Sequence, residues 1–169
     1  MAETTGFTAV LDSPIGPVSV LADDLLVLKV RMGINPGVDA RPDAPAGSFA
    51  THAAAELGEY FAGFREDFTV DPDWARLPEL SAHVLSTLMT IAPYGCTVSY
   101  GELAAAAGLD DVAAARIAGQ ILNANPWPIL VPCHRVIMSD GSLGGFGGGV
   151  WRKEVLLRHE GVLPATLFG

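Results

Sequence analysis

Hydrophobic and polar positions follow a β-strand pattern over the first part of the chain. Two runs that contain β-branched residues, at 7–11 and 18–21, are separated by the segment DSPIGP, whose prolines and glycine favour a turn. A third apolar run follows at 25–32. The pattern therefore predicts three strands that form a small antiparallel sheet.

The apolar period changes to that of a helix between residues 51 and 64, where five side chains share one face: Ala54, Leu57, Tyr60, Phe61 and Phe64. Residues 33–50, which are rich in Gly, Pro, Asp and Ala, predict a loop before this helix. Residues 68–72 predict a further short strand. A linker then closes the segment, so we predict an N-terminal α/β domain over residues 1–76 and a second domain over residues 77–169.

The second domain is predicted to be mainly helical. Apolar residues at helical spacing predict a first helix over 79–91: Leu80, Val84, Leu85, Leu88 and Ile91. Ser99 and Glu102 match a capping box, which predicts a helix over 100–107. A glycine ends that helix, and Asp110 or Asp111 can cap the next one, over 112–122. Two short helices joined in this way are typical of a helix-turn-helix, although spacing alone fits an ordinary helical hairpin equally well.

Candidate chemistry is concentrated at residues 129–137, where an apolar run leads to a cysteine and a histidine. Pro132 favours an extended conformation at the preceding residue, so Cys133 is expected at the end of a strand-like segment. Adjacent side chains on a regular element point apart, so a turn or a bridging water would have to join Cys133 to His134. A thiol near an imidazole can become an activated nucleophile. The alternative is a buried structural cysteine beside a surface histidine.

Composition excludes several classes of protein. Half of the 169 residues are hydrophobic, which is enough for one generous domain or two small ones. The sequence shows no long apolar run and no basic leader, so we expect a cytoplasmic protein without a membrane partner. Cys96 and Cys133 are the only cysteines, which gives neither a disulfide framework nor a CxxC pair. We therefore expect no metal and no cofactor.

The segment PCHRV at residues 132–136 resembles the signature of the O6-alkylguanine-DNA alkyltransferases. The similarity extends in both directions and covers about residues 93–163. Upstream, one segment resembles the first DNA-binding helix of that family and another its recognition helix; downstream, a glycine run and a helix follow in the family's order and spacing. The matching segments are 98–104, 114–116, 125–126, 144–149, 152–153 and 156–161. Together with the hydrophobic pattern, the resemblance implies an α+β fold: a small N-terminal antiparallel sheet plus helix, then a mainly helical, winged helix-turn-helix-like domain.

The resemblance implies a single-turnover repair reaction, in which the alkyl group of O6-alkylguanine in DNA moves to Cys133 after the base is flipped out. It implies that His134 takes the thiol proton through water and that Glu160 orients the imidazole, as in a Ser-His-Asp triad. Asn125 is expected to hold the turn before the cysteine. The thioether product is not hydrolysed, so the methyltransferase is expected to act stoichiometrically.

The resemblance also implies a DNA-contacting set and a base pocket. Arg116 is expected to fill the space that the flipped base vacates, and a backbone N–H, expected at Gly147, to stabilise the departing base. Phe146 occupies a position that is often tyrosine. The expected DNA contacts are Arg116, Tyr100, Ala115 and Arg135, and the expected pocket residues are Tyr100, Val136, Phe146 and Gly147.

The implied partner is duplex DNA that contains O6-alkylguanine, yet the net charge of the chain is −9. Residues 1–84 carry 13 acidic and 5 basic side chains, a balance of −8, and residues 85–169 carry 6 and 5, a balance of −1. We therefore expect weak, salt-sensitive DNA binding through the second half by a monomer. Side-by-side binding of several monomers is the alternative.

Two other functions compete with repair. An alkyltransferase-like protein would sense DNA damage through the helix-turn-helix without transferring the alkyl group, but such proteins replace the cysteine, and Cys133 is present. A cysteine hydrolase that used Cys133, His134 and Glu160 would have to turn over through a thioester, whose hydrolysis regenerates the thiol. The sequence favours the repair protein.

Overall fold

The computed structural model describes residues 6–33 and 43–165 of the chain. It divides the chain into two compact units, Met1–Asp73 and Trp74–Gly169. The domains 1–76 and 77–169 stay a prediction. Across the two described ranges, no helix combines the length and the apolar character that crossing a membrane requires.

The first unit is a three-stranded antiparallel sheet with one helix. Its strands are β1 (Phe7–Leu11), β2 (Val18–Ala22) and β3 (Val27–Met32), hydrogen-bonded in the order β1-β2-β3, and its helix is α1 (Phe49–Phe61). The helix packs against β1 and β2. A cluster of buried side chains, Ala9 on β1, Ala22 on β2 and Ala50 on α1, joins sheet and helix. The predicted strands and sheet are confirmed.

Three details of this unit differ from the sequence-based predictions. The helix begins earlier than predicted because the Ser48 side chain caps it by accepting a hydrogen bond from the Thr51 N–H. It also ends earlier, so Phe64 lies beyond it and is 85% exposed instead of packing in the core. Residues 68–72 contain no strand, although Pro72 forms an isolated bridge with Val27 of β3. Much of the predicted loop, residues 34–42, lies outside the described residues.

The second unit contains four helices, two short 3-10 turns and a two-stranded parallel ladder among its described residues. Its helices are α2 (Glu79–Ile91), α3 (Tyr100–Ala106), α4 (Ala114–Asn123) and α5 (Val150–His159), its strands are β4 (Val98–Ser99) and β5 (Val136–Ile137), and its 3-10 turns are Trp74–Arg76 and Cys133–Arg135. Helices α3 and α4 pack against each other, and both contact α2. The predicted α+β class is confirmed.

Local signals set the helix pair. The Ser99 side chain accepts from the Glu102 N–H, and the Glu102 carboxylate accepts from the Ser99 N–H, so the predicted capping box is present. Helix α4 begins at Ala114, two residues later than predicted, and the predicted cap by Asp110 or Asp111 was wrong, because the N-cap residue is Ala113 and no side chain caps the helix. The Asp111 carboxylate instead accepts from the Ala113 N–H in the turn before it. In α2 the predicted bounds are confirmed, but Leu80 lies on the exposed side near the start of the helix rather than in the core.

Candidate active site

Cys133 begins a 3-10 turn instead of ending a strand. Pro132 adopts ψ 62°, outside the extended range, so the chain turns just before the thiol. The Arg135 N–H then donates to the Pro132 carbonyl at 3.0 Å. Cys133 and His134 therefore share a turn, but no hydrogen bond joins the thiol to the ring among the described residues, so the expected link between the two groups stays a prediction. The strand-end prediction was wrong. Both side chains are buried: Cys133 is 8% exposed and His134 is 0% exposed. The alternative of a surface histidine is therefore contradicted.

Asn125 spans the loop that precedes the cysteine. Its side-chain N–H donates to the Val131 carbonyl at 3.0 Å, and its side-chain oxygen accepts from the Trp127 N–H at 3.0 Å. Ile129, inside this loop, has φ 76°, a left-handed conformation that β-branched residues avoid. The hydrogen bonds of Asn125 on both sides of Ile129 therefore hold a strained segment next to the nucleophile. A further hydrogen bond from Asn125 favours the thiolate form of Cys133.

Glu160 joins the histidine to an arginine. Its Oε1 lies 2.7 Å from Nε2 of His134, and both of its oxygens accept from the Arg135 guanidinium, at 2.8 and 3.0 Å. Glu160 is buried, and burial alone would raise its pKa. The hydrogen bonds and charges of His134 and Arg135 outweigh that effect and hold the pKa well below its usual range. Glu160 is therefore a carboxylate throughout the physiological pH range.

The partners of the two ring nitrogens of His134 indicate which of them can accept a proton. Because a carboxylate can only accept, the Nε2 atom that faces Glu160 carries a hydrogen, and Nδ1 is the basic nitrogen. Nδ1 is buried and has no hydrogen-bond partner among the described residues. Burial lowers the pKa of His134 against the opposing effect of Glu160, and burial raises the pKa of Cys133 against Asn125 and Lys153. The resting pair is therefore a neutral thiol beside a neutral imidazole.

Lys153 is a site residue that was not predicted from the sequence. It extends from α5 and is 0% exposed. Its ammonium donates to the carbonyls of Val136, Leu143 and Gly145. Burial lowers its pKa to about 8, and attraction to the Cys133 thiolate opposes that shift. No pattern of spacing identifies such a lysine; the sequence signal available was its place beside Arg152 in a segment that resembles the family.

The expected pocket residues lie around the glycine-rich loop. Val136 is buried on β5, whereas Tyr100 and Phe146 are half-buried. A Cβ atom built on Gly144 would lie 3.4 Å from the Tyr100 hydroxyl oxygen, so the loop passes close to that tyrosine. Gly147 is exposed, and a Cβ there would lie 3.4 Å from the Asn123 side-chain oxygen at the end of α4. The loop thus contacts both helices of the pair.

The expected DNA contacts do not share one environment. Ala115 and Arg116 are exposed on α4, and among the described residues no hydrogen bond or ion pair holds Arg116. The prediction that Arg135 contacts DNA was wrong, because Arg135 is buried. Its guanidinium donates to Glu160 and, at 2.8 Å, to the Ala92 carbonyl, and it lies 5.8 Å from the Tyr94 ring centroid. A guanidinium held in this way cannot reach a phosphate, so Arg135 belongs to the buried network.

Comparisons with known proteins agree on one family. A family model described as "6-O-methylguanine DNA methyltransferase, DNA binding domain" matches residues 79–162. The methylated-DNA--protein-cysteine methyltransferase of Mycolicibacterium paratuberculosis is 40% identical over 167 residues, which cover 93% of this chain and 94% of that protein. A DNA base-flipping protein of Thermus thermophilus is 37% identical and covers 90% of this chain and 99% of its own length.

Comparison with solved structures indicates the same family. The crystal structure of Mycobacterium tuberculosis OGT in complex with DNA matches with a TM-score of 0.78 and 37% sequence identity, and the match covers 94% of this chain and 95% of that one. Among the described residues, no group of three or more His, Cys, Asp or Glu side chains could hold a metal ion. The resemblance found in the sequence is confirmed, and this chain belongs to the 6-O-methylguanine DNA methyltransferase family.

Proposed function

We propose that the protein repairs O6-alkylguanine in duplex DNA by transferring the alkyl group to Sγ of Cys133, once per molecule. The observation that carries the proposal is the buried Cys133–His134 turn, whose histidine is held by Glu160 and keeps Nδ1 unpaired. The relative from Mycolicibacterium paratuberculosis, named a methylated-DNA--protein-cysteine methyltransferase, supports the same chemistry. Cys133, His134, Glu160 and Asn125 are the residues to which we assign it.

The transfer is a direct displacement. The Cys133 sulfur forms a bond to the alkyl carbon while the bond from that carbon to O6 of guanine breaks, and guanine leaves with the electron pair. The thiol proton passes to Nδ1 of His134 through a bridging water, and the departing guanine takes up a proton in its turn. Glu160 stabilises the imidazolium that forms, as the carboxylate does in a Ser-His-Asp triad. The thioether that results is stable, so the protein is consumed.

The pocket would receive the base after flipping, because the reactive carbon is inaccessible inside a base stack. We assign the pocket walls to Tyr100, Val136 and Phe146, and the N–H that stabilises the departing base to Gly147. Phe146 and Gly147 lie on the glycine-rich loop, and this loop approaches α4 at Asn123. This proximity supports a path from the DNA-facing helix to the nucleophile.

DNA would be held by α4, whose exposed face offers Ala115 and Arg116. Small side chains permit close approach to a groove but cannot read base edges, which suits a protein that must find a lesion in any sequence. With Arg135 and Lys153 buried, few cations of the second unit remain to contact phosphate, so we propose weak binding by a monomer with a shallow salt dependence. A cytoplasmic location, where thiols stay reduced, completes the proposal.

Intact mass spectrometry tests the proposal. After incubation with duplex DNA that contains O6-methylguanine, the protein should gain about 14 Da, the mass of one CH2 group, and peptide mapping should find it on Cys133. Cys96→Ser is the matched control and should gain the same mass. DNA binding without a mass gain would indicate a damage sensor instead, and repeated turnover without a stable adduct would indicate a hydrolase.

A further inference from the structure

We propose that Trp74 is a positioning residue for alkyl transfer: its ring packs against that of Trp127 and thereby holds the strained loop that presents Cys133. The proposal rests on the proposed function for its biological meaning. The hold on the loop is a property of the protein alone, however, and can be measured without DNA or alkyl transfer.

Residues 125–131, which we call the pre-cysteine loop, are closed by hydrogen bonds that pass through Trp127. The Trp127 N–H donates to the Asn125 side-chain oxygen at 3.0 Å, and the Trp127 carbonyl accepts from the Val131 N–H at 2.9 Å. The Val131 carbonyl in turn accepts from the Asn125 side chain at 3.0 Å and from the Cys133 N–H at 2.8 Å. The position of Trp127 therefore helps to fix the backbone of the nucleophile.

The pre-cysteine loop does not keep this shape through local preference. Ile129 has φ 76°, a conformation that β-branched residues avoid, so the loop would relax if nothing opposed it. Such a conformation persists only where the surrounding structure fixes it. The hydrogen bonds of Asn125 restrain the loop from within, and a contact from outside is needed to fix it against the rest of the fold.

The Trp127 side chain makes that contact. It is 0% exposed and is the largest fully buried side chain among the described residues. Its ring meets that of Trp74, with the two centroids 5.2 Å apart and the planes at 66°, an edge-to-face arrangement that aromatic pairs favour. Trp74 opens the second unit in a 3-10 turn, where the Leu77 N–H donates to its carbonyl at 3.1 Å. A residue at the start of the unit thus braces the loop beside the nucleophile.

A displaced loop would weaken the nucleophile without removing any wall of the base pocket. Burial raises the pKa of the Cys133 thiol, and a hydrogen bond from Asn125 opposes that shift. The pocket residues that we assign lie on other segments, namely α3, β5 and the glycine-rich loop. Loss of the Trp74 ring should therefore slow the chemical step rather than weaken binding of the base. The other titratable groups around the thiol are unchanged by such a substitution: His134, Tyr100 and Lys153.

Hydrogen exchange of single amides, followed by NMR, tests the hold on the loop. The N–H groups of Val131 and Cys133 are compared in the parent protein, in Trp74→Ala and in Trp74→Phe, which keeps an aromatic ring. We expect Trp74→Ala to speed exchange at both amides about tenfold or more relative to the amides of α2, because the loop then opens locally. Trp74→Phe should restore most of the protection. Phe64→Ala, which removes an exposed ring of the first unit, is the control and should change neither amide.

Two results of this experiment would overturn the proposal. Unchanged exchange at Val131 and Cys133 would show that Trp74 does not hold the loop, and a uniform rise across the second unit would show that it supports the fold in general. If Trp74→Ala does not fold, Trp74→Leu takes its place under the same expectation, since leucine fills part of the volume but offers no aromatic ring.

Transfer from free O6-benzylguanine shows whether the held loop matters for the reaction. At saturating substrate we expect Trp74→Ala to react about five- to tenfold more slowly, and a higher pH should recover part of the loss, because the weakened Asn125 hydrogen bond leaves less thiolate. The half-saturating concentration should stay within about twofold of the parent value, since the pocket residues are untouched.

An unchanged maximal rate in Trp74→Ala would overturn the positioning role, and a raised half-saturating concentration at that unchanged rate would assign Trp74 to the support of the pocket instead. Absence of alkyl transfer in the parent protein would reject the proposed function, while hydrogen exchange would still decide whether Trp74 holds the pre-cysteine loop.

Discussion

Each unit of this protein buries one glutamate beside a histidine and an arginine, and the two clusters differ in what surrounds the histidine. In the first unit, Glu56 lies 3.4 Å from His52 and 3.5 Å from Arg65, and it accepts from the Thr69 N–H at 2.8 Å. In the second, Glu160 lies 2.7 Å from a histidine and 2.8 Å from an arginine. The carboxylates are buried to a similar degree. A buried glutamate beside a histidine and an arginine therefore does not by itself define a reactive site.

The difference lies in solvent and in the neighbour of the histidine. His52 stands on the surface of α1 with its side chain 58% exposed, so water is available to its ring. His134 is fully buried, one of its nitrogens is paired with Glu160, and the other is unpaired beside a cysteine. Both cysteines of the chain lie beyond residue 73, so the first cluster has no nucleophile. Glu56 instead anchors the segment at Thr69 to α1, which is a structural task.

The largest expected effect comes from removing the nucleophile. Cys133→Ser should lower the rate of transfer from O6-benzylguanine by roughly 10³-fold or more, since a serine hydroxyl is far harder to ionise beside a neutral imidazole. The rate is measured by intact mass against time. Cys96→Ser is the control and should react at the parent rate. Retained transfer by the Cys133→Ser protein would move the acceptor to another residue and remove the basis of the comparison.

The second prediction concerns the replacement of each of the two buried glutamates by glutamine, one at a time. Glu160→Gln should slow transfer by about 10²-fold or more, because the imidazolium loses its anion. Glu56→Gln should leave the transfer rate within about twofold and lower the free energy of unfolding by about 1–3 kcal/mol, because the hydrogen bonds to Thr69 weaken. Transfer is measured with free O6-benzylguanine and unfolding with urea.

Glu160→Gln also leaves the Arg135 charge buried without a partner, which by itself destabilises a protein by about 3–5 kcal/mol. Glu160→Asp keeps the charge and separates the two effects: it should retain more of the fold and recover part of the transfer rate. Equal losses of transfer in the Glu56→Gln and Glu160→Gln proteins would show that the second cluster acts through stability alone.

Local sequence signals predicted much of the frame around the second cluster. The bounds of α2 and the capping box of Ser99 and Glu102 follow from interactions within a few residues, so a pattern in the sequence records them. Cys133 and His134 were identified as candidate site residues in the same way, because the two are adjacent in the sequence. Glu160 was assigned only through the family resemblance, since no spacing rule connects residues 26 positions apart.

Burial of charge is what the sequence did not predict. Arg135 was expected on DNA, and Lys153 was given no role of its own, because charged side chains are exposed unless a partner is known. Their partners, Glu160 and three backbone carbonyls, come together only in the folded chain. The turn at Pro132 was missed for a related reason: proline fixes its own φ but leaves ψ to the tertiary structure.

The third prediction separates the buried cluster from the exposed face of α4. Arg116→Ala should slow repair of O6-methylguanine in duplex DNA about tenfold and leave the reaction with free O6-benzylguanine unchanged, since the free base needs no flipping. Both rates are measured by intact mass on the same preparation. Ser86→Ala, at an exposed position of α2 to which no DNA contact is assigned, is the control. Equal losses on both substrates would place Arg116 among the residues that support the pocket or the fold.

The smallest expected effect concerns stability in mildly acidic solution, and it tests whether burial or Glu160 dominates the pKa of His134. Burial lowers its pKa, and Arg135 and Lys153 act in the same direction, whereas Glu160 opposes them. An unfolded histidine binds its proton near pH 6.5, so a lowered pKa in the folded state means that the unfolded chain binds more protons as the pH falls. The stability that neutral His134 contributes is therefore complete above about pH 6.5 and is lost as the pH falls towards the lowered pKa.

We expect the parent protein to lose more unfolding free energy than a His134→Gln protein as the pH falls from 7 to about 5.5, because the unfolded chain then takes up a proton that the folded His134 does not. Urea unfolding at each pH gives both slopes, and above pH 7 the two curves should run parallel. If the parent instead gained stability over the His134→Gln protein as the pH fell, Glu160 would dominate over burial. The resting site would then hold an imidazolium rather than a neutral imidazole.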